Sequence, residues 1–396
     1  MTIKNYGKEF GIHTRAVHAG NDVDKDTKAV KRPITMANSY ELPYDPTDIN
    51  WSDAGQNLYT RNGGANQQYL QEKISAFENA EDTIVFASGA GALSGLFFSL
   101  LTSGDHVIFS SITYIAVYRL LNELFNNKFK IETSIIDTSD LEAVHAAVKP
   151  NTKLIHIETP GNPTLSISDI KAIAKIAHKN NSLLSVDNTL ASPYNQRPLE
   201  LGADFSIESL TKYINGHGDA MGGSISGRKE YLDIIRKQSQ VNLGATISPF
   251  NAWLIMRGAS TFPLRMKQHN ENALKIAQFI ENHPSVSFVS YPGLKSHRGN
   301  KIAAAQMSPG FGGLLSFALK ADHDVHNKFV SNLHVITSAV SLGHDTSLIV
   351  YLGKNDERQY LYPPEFHNGF FRFSAGIEDA EDIIKDIEQA IVKSGI

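Results

Sequence analysis

The sequence predicts an α/β protein in which a doubly wound, mostly parallel sheet is followed by a smaller α+β domain. Between about residue 82 and 227, short apolar runs alternate with helical patterns, as buried parallel strands and crossover helices produce. After about residue 250 the pattern changes, and a long helical stretch precedes separated strand-like runs. We therefore place an N-terminal arm at 1–60, an α/β domain at 61–250 and a C-terminal α+β domain at 251–396.

The elements of the α/β region follow one another closely. The apolar runs predict strands at 83–87, 106–111, 130–136, 152–158, 182–187 and 203–208. The patterns between them predict helices at 89–101, 116–125 and 169–178, with a further helix beginning near residue 140. Ser139 and Glu142 have the spacing of a capping box, so we expect Ser139 to be the N-cap of that helix.

The two ends of the chain differ from this central region. The C-terminal part predicts a helix at 249–283, strands at 285–290, 313–319 and 370–374, and a closing helix at 379–393. The first 60 residues contain Pro33, Pro43 and Pro46 and show little periodicity. We interpret them as an extended arm that needs another surface to pack against.

Composition excludes several classes of function. The chain has 41% hydrophobic residues, 20% charged residues and a formal net charge of -4, with no basic stripe that would indicate nucleic acid or an anionic membrane as a partner. It contains no cysteine, which excludes disulfides and thiolate metal sites, and we predict no metal site. No stretch has the pattern of a signal peptide or a membrane span, so we expect a cytoplasmic protein.

Lys212 is the first candidate for chemistry. It lies next to the hydroxyl residues Ser209 and Thr211 and before a glycine-rich turn. A lysine held neutral beside phosphate-binding hydroxyls can condense with an aldehyde, whereas a lysine in water is a hydrated cation and a poor nucleophile. Taken alone, this context also suits an ordinary surface lysine, and the interpretation therefore depends on the neighbouring strand ends.

In an open α/β sheet, ligands bind at the carboxyl ends of the strands. At those ends the sequence places a small-residue turn suited to a phosphate, an aromatic ring, an amide and an acid: Ser88-Gly89-Ala90, Tyr114, Asn162 and Asp187 with Thr189. A single turn or tyrosine is more simply explained by chain geometry or packing. However, a carboxylate after an apolar run needs a partner such as a protonated pyridine nitrogen. Together these groups and the lysine indicate pyridoxal 5'-phosphate (PLP).

Longer strings carry a resemblance to a known family. In chain order they are Tyr59-Thr-Arg61, Ser88-Gly89, Glu158-Thr-Pro-Gly-Asn-Pro163, Val186-Asp-Asn-Thr189, Pro193-Tyr-Asn-Gln-Arg-Pro198, Leu201-Gly-Ala-Asp204, Thr211-Lys-Tyr213, Gly216-His217, Phe371-Arg-Phe-Ser374 and Gly376-Ile-Glu-Asp379. They resemble the Cys/Met-metabolism family of PLP-dependent enzymes, which includes methionine and cystathionine γ-lyases, cystathionine β-lyase and cystathionine γ-synthase. The resemblance runs from about residue 10 to 393 and implies a PLP-dependent transferase-like fold of type I.

The resemblance implies roles for individual residues. Lys212 would bind the cofactor covalently and move protons, Asp187 would pair with the pyridine nitrogen, and Tyr114 would stack on the ring and assist as a base. Arg372 would bind the substrate carboxylate, and the substrate-binding residues would be Arg372, Ser341, Asn162 and Val340. The full set of expected cofactor contacts is Tyr59, Arg61, Ser88, Gly89, Ala90, Tyr114, Asn162, Asp187, Thr189, Ser209, Thr211 and Lys212.

The resemblance also implies an assembly. Tyr59 and Arg61 would reach the cofactor phosphate of a neighbouring subunit, which would explain an arm with nothing to pack against in its own chain. A homodimer follows from this arrangement, and two dimers would pair into a homotetramer. Departures from the family pattern at Gly64-Ala65 and Ile115-Ala116 imply a differently shaped entrance to the site.

The first functional hypothesis is γ-elimination on an L-amino acid, with a sulfur leaving group as in methionine or cystathionine γ-lyase. The products would be 2-oxobutyrate, ammonia and the leaving group. Val340 stands where family members acting on cystathionine often have glutamate, which favours the methionine γ-lyase branch. The alternatives are cystathionine β-lyase or cystathionine γ-synthase, a γ-lyase for a non-sulfur leaving group such as that of canavanine, and a non-catalytic relative.

Overall fold

A computed structural model describes residues 6–49, 58–353 and 356–396. Parts of the predicted arm, residues 1–5 and 50–57, therefore lie outside the described residues. The α-helices in chain order are α1 (Ile12–His18), α2 (Ala65–Glu78), α3 (Gly89–Leu100), α4 (Ile115–Tyr118), α5 (Asn126–Phe129), α6 (Leu141–Ala147), α7 (Ile170–Lys179), α8 (Ser192–Asn195), α9 (Lys229–Ile235), α10 (Pro249–Ala259), α11 (Phe262–Glu281), α12 (Asn300–Gln306), α13 (His323–Ser331) and α14 (Ala380–Lys393).

The strands form two sheets. In chain order they are β1 (Asp82–Phe86), β2 (His106–Ser110), β3 (Glu132–Ile136), β4 (Thr152–Glu158), β5 (Leu183–Asp187), β6 (Phe205–Glu208), β7 (Gly223–Gly227), β8 (Val286–Ser290), β9 (Leu314–Leu319), β10 (Thr337–Ser338), β11 (Leu348–Leu352) and β12 (Phe370–Ser374). Segments of π-helix span Arg119–Phe125 and Arg236–Asn242, and short 3-10 helices span Pro198–Leu201, Gln359–Leu361 and Pro364–Phe366.

The larger sheet confirms the predicted α/β class. Among the described residues it has 7 strands in the order β1-β7-β6-β5-β4-β2-β3. Strands β2 to β6 are parallel to one another, and β7 runs antiparallel between β1 and β6. Because β7 is antiparallel to both, β1 and β6 point the same way. The carboxyl ends of β1, β4, β5 and β6 therefore lie along one edge, where the candidate residues were expected.

Strand β7 was not predicted, because its glycine and serine residues give no apolar alternation. All of its residues are nevertheless buried. A Cβ atom on Gly223 would lie 2.2 Å from the Ser88 carbonyl oxygen, so only glycine lets β7 approach the turn after β1 this closely.

The smaller sheet has the strand order β10-β11-β12-β9-β8 and confirms a second, antiparallel-rich unit. The predicted strands at 285–290, 313–319 and 370–374 are confirmed as β8, β9 and β12, whereas β10 and β11 were missed. One apolar cluster joins Leu70 of α2, Ile255 of α10 and Phe317 of β9, so the two sheets share a core. The division into an arm and two domains with the stated boundaries stays a prediction.

Several predicted helices need correction. The helix at 249–283 is two helices, because the helix is interrupted at Ser260–Thr261 and Pro263 lies in the first turn of α11, where its missing N–H costs nothing. The helix at 116–125 is a short α-helix continued as π-helix. Ser139 is not the N-cap of α6: Asp140 accepts from the backbone N–H of Glu142 and Ala143, while the Ser139 hydroxyl donates to Asp137. None of the helices in the described ranges is long and apolar enough to cross a membrane.

Candidate active site

Lys212 lies in a tight turn directly after β6. Its backbone N–H donates to the Ser209 carbonyl at 3.0 Å, and its Nζ donates to Ser341 Oγ at 2.7 Å. Burial, and secondarily the charge of Arg372, lowers the pKa of Lys212 to about 8. A substantial fraction of this amine is therefore neutral near physiological pH, as a nucleophile toward an aldehyde must be.

Asp187 ends β5 and is only 6% exposed. The backbone N–H of Thr189 donates to its Oδ1 at 3.1 Å. Burial raises the pKa of the Asp187 carboxyl, and the hydrogen bonds from Thr189 oppose that shift. In the part of the chain that the structure describes, no lysine, arginine or histidine forms an ion pair with Asp187. A buried acid without a cationic partner fits the protonated ring nitrogen of PLP.

A candidate phosphate site lies at the N-terminus of α3. Ser88 is the N-cap and accepts from the Gly91 N–H at 3.0 Å, and the first N–H groups of a helix have no acceptor within the helix. A Cβ on Gly89 would lie 2.9 Å from Ser209 Cβ, so glycine allows the Ser209 side chain to pack directly against this backbone. The helix dipole, the exposed N–H groups including that of Ala90 and the Ser209 hydroxyl together suit a phosphate.

The two threonines of the predicted site connect its parts. Thr189 Oγ1 accepts from the Ser209 N–H at 2.8 Å and so joins the end of β5 to the turn after β6. Thr211 Oγ1 donates to the Gly222 carbonyl at 3.2 Å and accepts from the Gly222 N–H at 3.1 Å. The Thr211 hydroxyl is thus bonded to backbone, and its predicted phosphate contact stays a prediction.

Arg372 lies in the middle of β12 and brings the expected substrate residues together. Its Nη2 donates to the Ser341 carbonyl at 2.8 Å and its Nη1 to Asn162 Oδ1 at 3.4 Å. Since Ser341 also accepts from Lys212, the guanidinium and the amine lie on either side of one residue. Val340 is next to Ser341 and is 77% exposed, so an apolar side chain borders this group.

Tyr114 precedes α4 as its N-cap, and its side chain is 43% exposed. Its backbone N–H donates to Oε2 of Glu158 at 2.5 Å, and the other oxygen of Glu158 accepts from the Asn162 N–H at 2.9 Å. Glu158 belongs to one of the family-like motifs, but the motif alone indicates no role for it. The signal that could have found it is the one used for Asp187, an acid at the end of an apolar strand.

Tyr59 and Arg61 are both exposed and lie against each other, with the Arg61 guanidinium carbon 5.2 Å from the Tyr59 ring centroid. The Thr246 hydroxyl donates to the Arg61 carbonyl at 2.8 Å. The hydrogen bonds of the described residues do not join either side chain to Lys212. Their predicted role across a subunit interface is compatible with this exposed position and stays a prediction.

A lysine with a lowered pKa, a buried acid without a cationic partner among the described residues and the N-terminus of α3 lie at one edge of this sheet, as in a PLP-dependent enzyme of fold type I. The family model described as "Cys/Met metabolism PLP-dependent enzyme" matches residues 13–392, and the chain belongs to this family. A canavanine gamma-lyase of Rhizobium leguminosarum bv. trifolii is 51% identical over 391 residues, which cover 98% of each chain. An L-methionine gamma-lyase of Fusobacterium nucleatum subsp. polymorphum is 38% identical over 98% of this chain and 99% of its own.

A solved structure shows the same fold. The crystal structure of MetB from Corynebacterium glutamicum superposes with a TM-score of 0.89 at 37% identity and covers 97% of this chain and 98% of that chain. The comparisons confirm the predicted family, fold type, PLP cofactor and γ-lyase reaction class. The homodimer or homotetramer and the cytoplasmic location stay predictions.

Proposed function

We propose that this protein is a PLP-dependent γ-lyase that cleaves the Cγ–O bond of L-canavanine and releases hydroxyguanidine. The observation that carries the proposal is the 51% identity to a canavanine gamma-lyase over nearly the whole chain, against 38% for a methionine gamma-lyase. The leaving group is then an oxygen and not the sulfur that the sequence favoured. The alternative is a sulfur-containing substrate such as methionine.

Bound PLP would act as an electron sink for the bonds at the substrate Cα. Asp187 would hold its ring nitrogen protonated, and the α3 N-terminus with Ser209 would hold its phosphate. Tyr114 would stack on the ring, and its position between β2 and α4, at the same sheet edge, supports this role. These assignments are supported by the burial of Asp187 and by the close packing of Ser209 on Gly89.

Lys212 would serve as the proton carrier. Its Nζ lies beside Ser341, the residue whose carbonyl accepts from Arg372. A substrate carboxylate bound by Arg372 would therefore bring Cα near Lys212. The lowered pKa of Lys212 makes the amine available as a base at Cα, and the departing oxygen takes a proton from Lys212 or Tyr114.

The apolar side chain of Val340 favours a compact substrate. It lies beside Ser341, where the distal ammonium and carboxylate of cystathionine would require charged partners. The guanidinooxy group of canavanine is only weakly basic because of its oxygen, and it carries no carboxylate. With one water, elimination from canavanine gives hydroxyguanidine, 2-oxobutyrate and ammonia.

The test is a substrate panel. The PLP-loaded protein is incubated with L-canavanine, L-methionine, L-homocysteine and L-cystathionine, and products are identified by mass spectrometry. We expect hydroxyguanidine from canavanine and a kcat/KM at least about tenfold above that for the sulfur substrates, since one well-placed polar contact is enough for such a difference. A higher kcat/KM for methionine or cystathionine would overturn the substrate assignment. Homoserine in place of 2-oxobutyrate would show that water replaces the leaving group at the same bond.

Val340→Glu tests the distal pocket. We expect the ratio of kcat/KM for cystathionine to kcat/KM for canavanine to rise in the variant by the equivalent of about 1–3 kcal/mol, because the new carboxylate would bind the distal ammonium. The ratio of kcat/KM values measures this shift. Val392→Glu, at an exposed valine on α14, is the matched control and should leave the ratio unchanged. An equal shift in both variants would exclude a local role for Val340.

A further inference from the structure

Glu158 is a buried acid that joins two chain segments of the site. It ends β4, is 4% exposed and lies in register opposite Asp187 of β5. Its Oε2 accepts from the Tyr114 N–H at 2.5 Å and from Thr113 Oγ1 at 3.1 Å, and its Oε1 accepts from the Asn162 N–H at 2.9 Å. One carboxyl group therefore bonds the segment before α4 to the segment after β4.

Each of these two segments carries a residue of the candidate site. The first presents Tyr114, and the second presents Asn162, whose Oδ1 accepts from Arg372. The peptide between Thr113 and Tyr114 is held from both sides, because the buried Arg358 donates to the Thr113 carbonyl while Glu158 accepts from the Tyr114 N–H. The backbone from which the Tyr114 side chain extends is thus hydrogen-bonded to Glu158.

We propose that Glu158 is a positioning residue that fixes the ring of Tyr114 and the amide of Asn162 relative to Asp187. It touches neither the substrate nor the reacting atoms, and it acts through the two backbone N–H groups that it binds. This inference rests on the role given to Tyr114 under the proposed function and on the expected substrate contact of Asn162, which accepts from Arg372. Glu158 would thus have a role different from that of Asp187, although both acids end strands of the same sheet.

The chemistry of the site explains why this residue is an acid. An ionised carboxyl accepts through both oxygens, whereas an amide has one accepting oxygen and would direct an NH2 group at a backbone N–H. The acid is retained at a cost: burial, and secondarily the Asp187 charge, raises the pKa of Glu158, whereas its three hydrogen bonds stabilise the ionised form and oppose this shift. Tyr362 and Arg372 are the other titratable groups that interact with it. Two adjacent buried acids are typical of a functional site.

The test compares Glu158→Gln with a matched control. Asp386 in α14 is also buried, at 5% exposure, and also accepts from backbone N–H groups, at 2.9, 2.8 and 2.9 Å from His334, Val335 and Ile336. Both Glu158→Gln and Asp386→Asn should therefore lower the thermal unfolding midpoint. Only Glu158→Gln should alter the visible circular dichroism of bound PLP and reduce kcat/KM by at least about tenfold, because misplacing a site residue is costly to catalysis.

Two results would overturn the inference. One is a Glu158→Gln protein with the wild-type visible circular dichroism and a kcat/KM within about twofold of wild type. The other is an equal loss of kcat/KM in Asp386→Asn, which would make the effect one of stability alone. If Glu158→Gln does not fold, Thr113→Val is the test, because it removes one of the three contacts to Glu158. This variant should change the visible circular dichroism and kcat/KM in the same direction as Glu158→Gln but by less. An unchanged spectrum and an unchanged kcat/KM would then reject the proposal. The circular dichroism spectrum is measured without substrate, so a failure of the Glu158 proposal is distinguishable from a failure of the canavanine assignment.

Discussion

At the residue scale, the expected reactivity of Lys212 depends on burial, which lowers its pKa, and not on sequence context alone. The chain also contains the fully buried Lys73, whose pKa burial lowers to about 7, but its Nζ donates to the Ala16 carbonyl. Lys212 instead contacts a side-chain hydroxyl at the edge of the sheet where the candidate site lies. A neutral amine alone is therefore insufficient, and we expect access to the cofactor aldehyde to distinguish Lys212 from Lys73.

Uptake of PLP by the cofactor-free protein should consequently follow the titration of Lys212. We expect the rate to rise with pH through about 8, well below the ordinary lysine value of 10.5, because the neutral amine is the reacting form. Stopped-flow absorbance measures the rate, and borohydride reduction with peptide mapping locates the pyridoxyl group. Labelling of Lys73, or a rate that is flat between pH 7 and about 9, would contradict the assignment.

Asp187→Asn tests the charge of the acid that is expected to pair with the ring nitrogen of PLP. The amide keeps the volume but cannot hold the ring nitrogen protonated, so we expect weaker PLP binding and a loss of turnover of about 100-fold or more. Equilibrium dialysis measures the PLP affinity, and steady-state kinetics with saturating PLP measures turnover. Asp204→Asn is the control, since Asp204 is also a buried acid but pairs with His178 and Arg228 at the other end of the sheet. Wild-type turnover in Asp187→Asn would show that the electron sink does not need this acid.

At the element scale, strand prediction succeeded where apolar side chains dominate. Strand β4 was predicted with both of its ends correct, because Thr152–Glu158 is almost continuously buried and rich in β-branched residues. Strand β7 was missed because its burial depends on glycine and serine, which give no hydrophobic signal. Helix α2 was missed although Leu70, Ile74 and Phe77 are spaced for one buried face, since its N-cap is Gly64 and provides no capping side chain.

Gly223→Ala tests the close approach of β7, the strand that the sequence pattern did not predict. The new methyl group would lie 2.2 Å from the Ser88 carbonyl oxygen and 2.8 Å from Gly89 Cα, so β7 must move away from the phosphate site. We expect a loss of about 1–3 kcal/mol in unfolding free energy and weaker PLP binding. Chemical denaturation and PLP titration measure the two effects. Gly11→Ala, where a Cβ meets nothing within 4 Å, should change neither, and an unaffected Gly223→Ala would mean that this close approach is not needed.

At the scale of the whole molecule, the sheet edge was predictable and the contacts across it were not. Lys212 and Asp187 could be placed together because both follow strands of one parallel sheet. The bond from Lys212 to Ser341 spans 129 residues and depends on how the smaller sheet packs, which no local pattern reports. The positive φ of 84° at Ser341 is likewise set by its surroundings, since serine has no intrinsic preference for that conformation.

The assembly provides the last test, since Tyr59 and Arg61 are exposed in the single chain and are expected to complete the site of a partner. Arg61→Ala and Lys212→Ala chains should each be inactive or weak alone. When they are unfolded and refolded together in equal amounts, random pairing makes half of the dimers hybrids with one intact site, so about a quarter of wild-type activity should return. Lys212→Ala mixed with Asp187→Asn is the control, and it should recover nothing because each site needs both residues from one chain. If hybrids form, as shown by tagged chains purified together, and activity does not return, then Arg61 does not act across the interface.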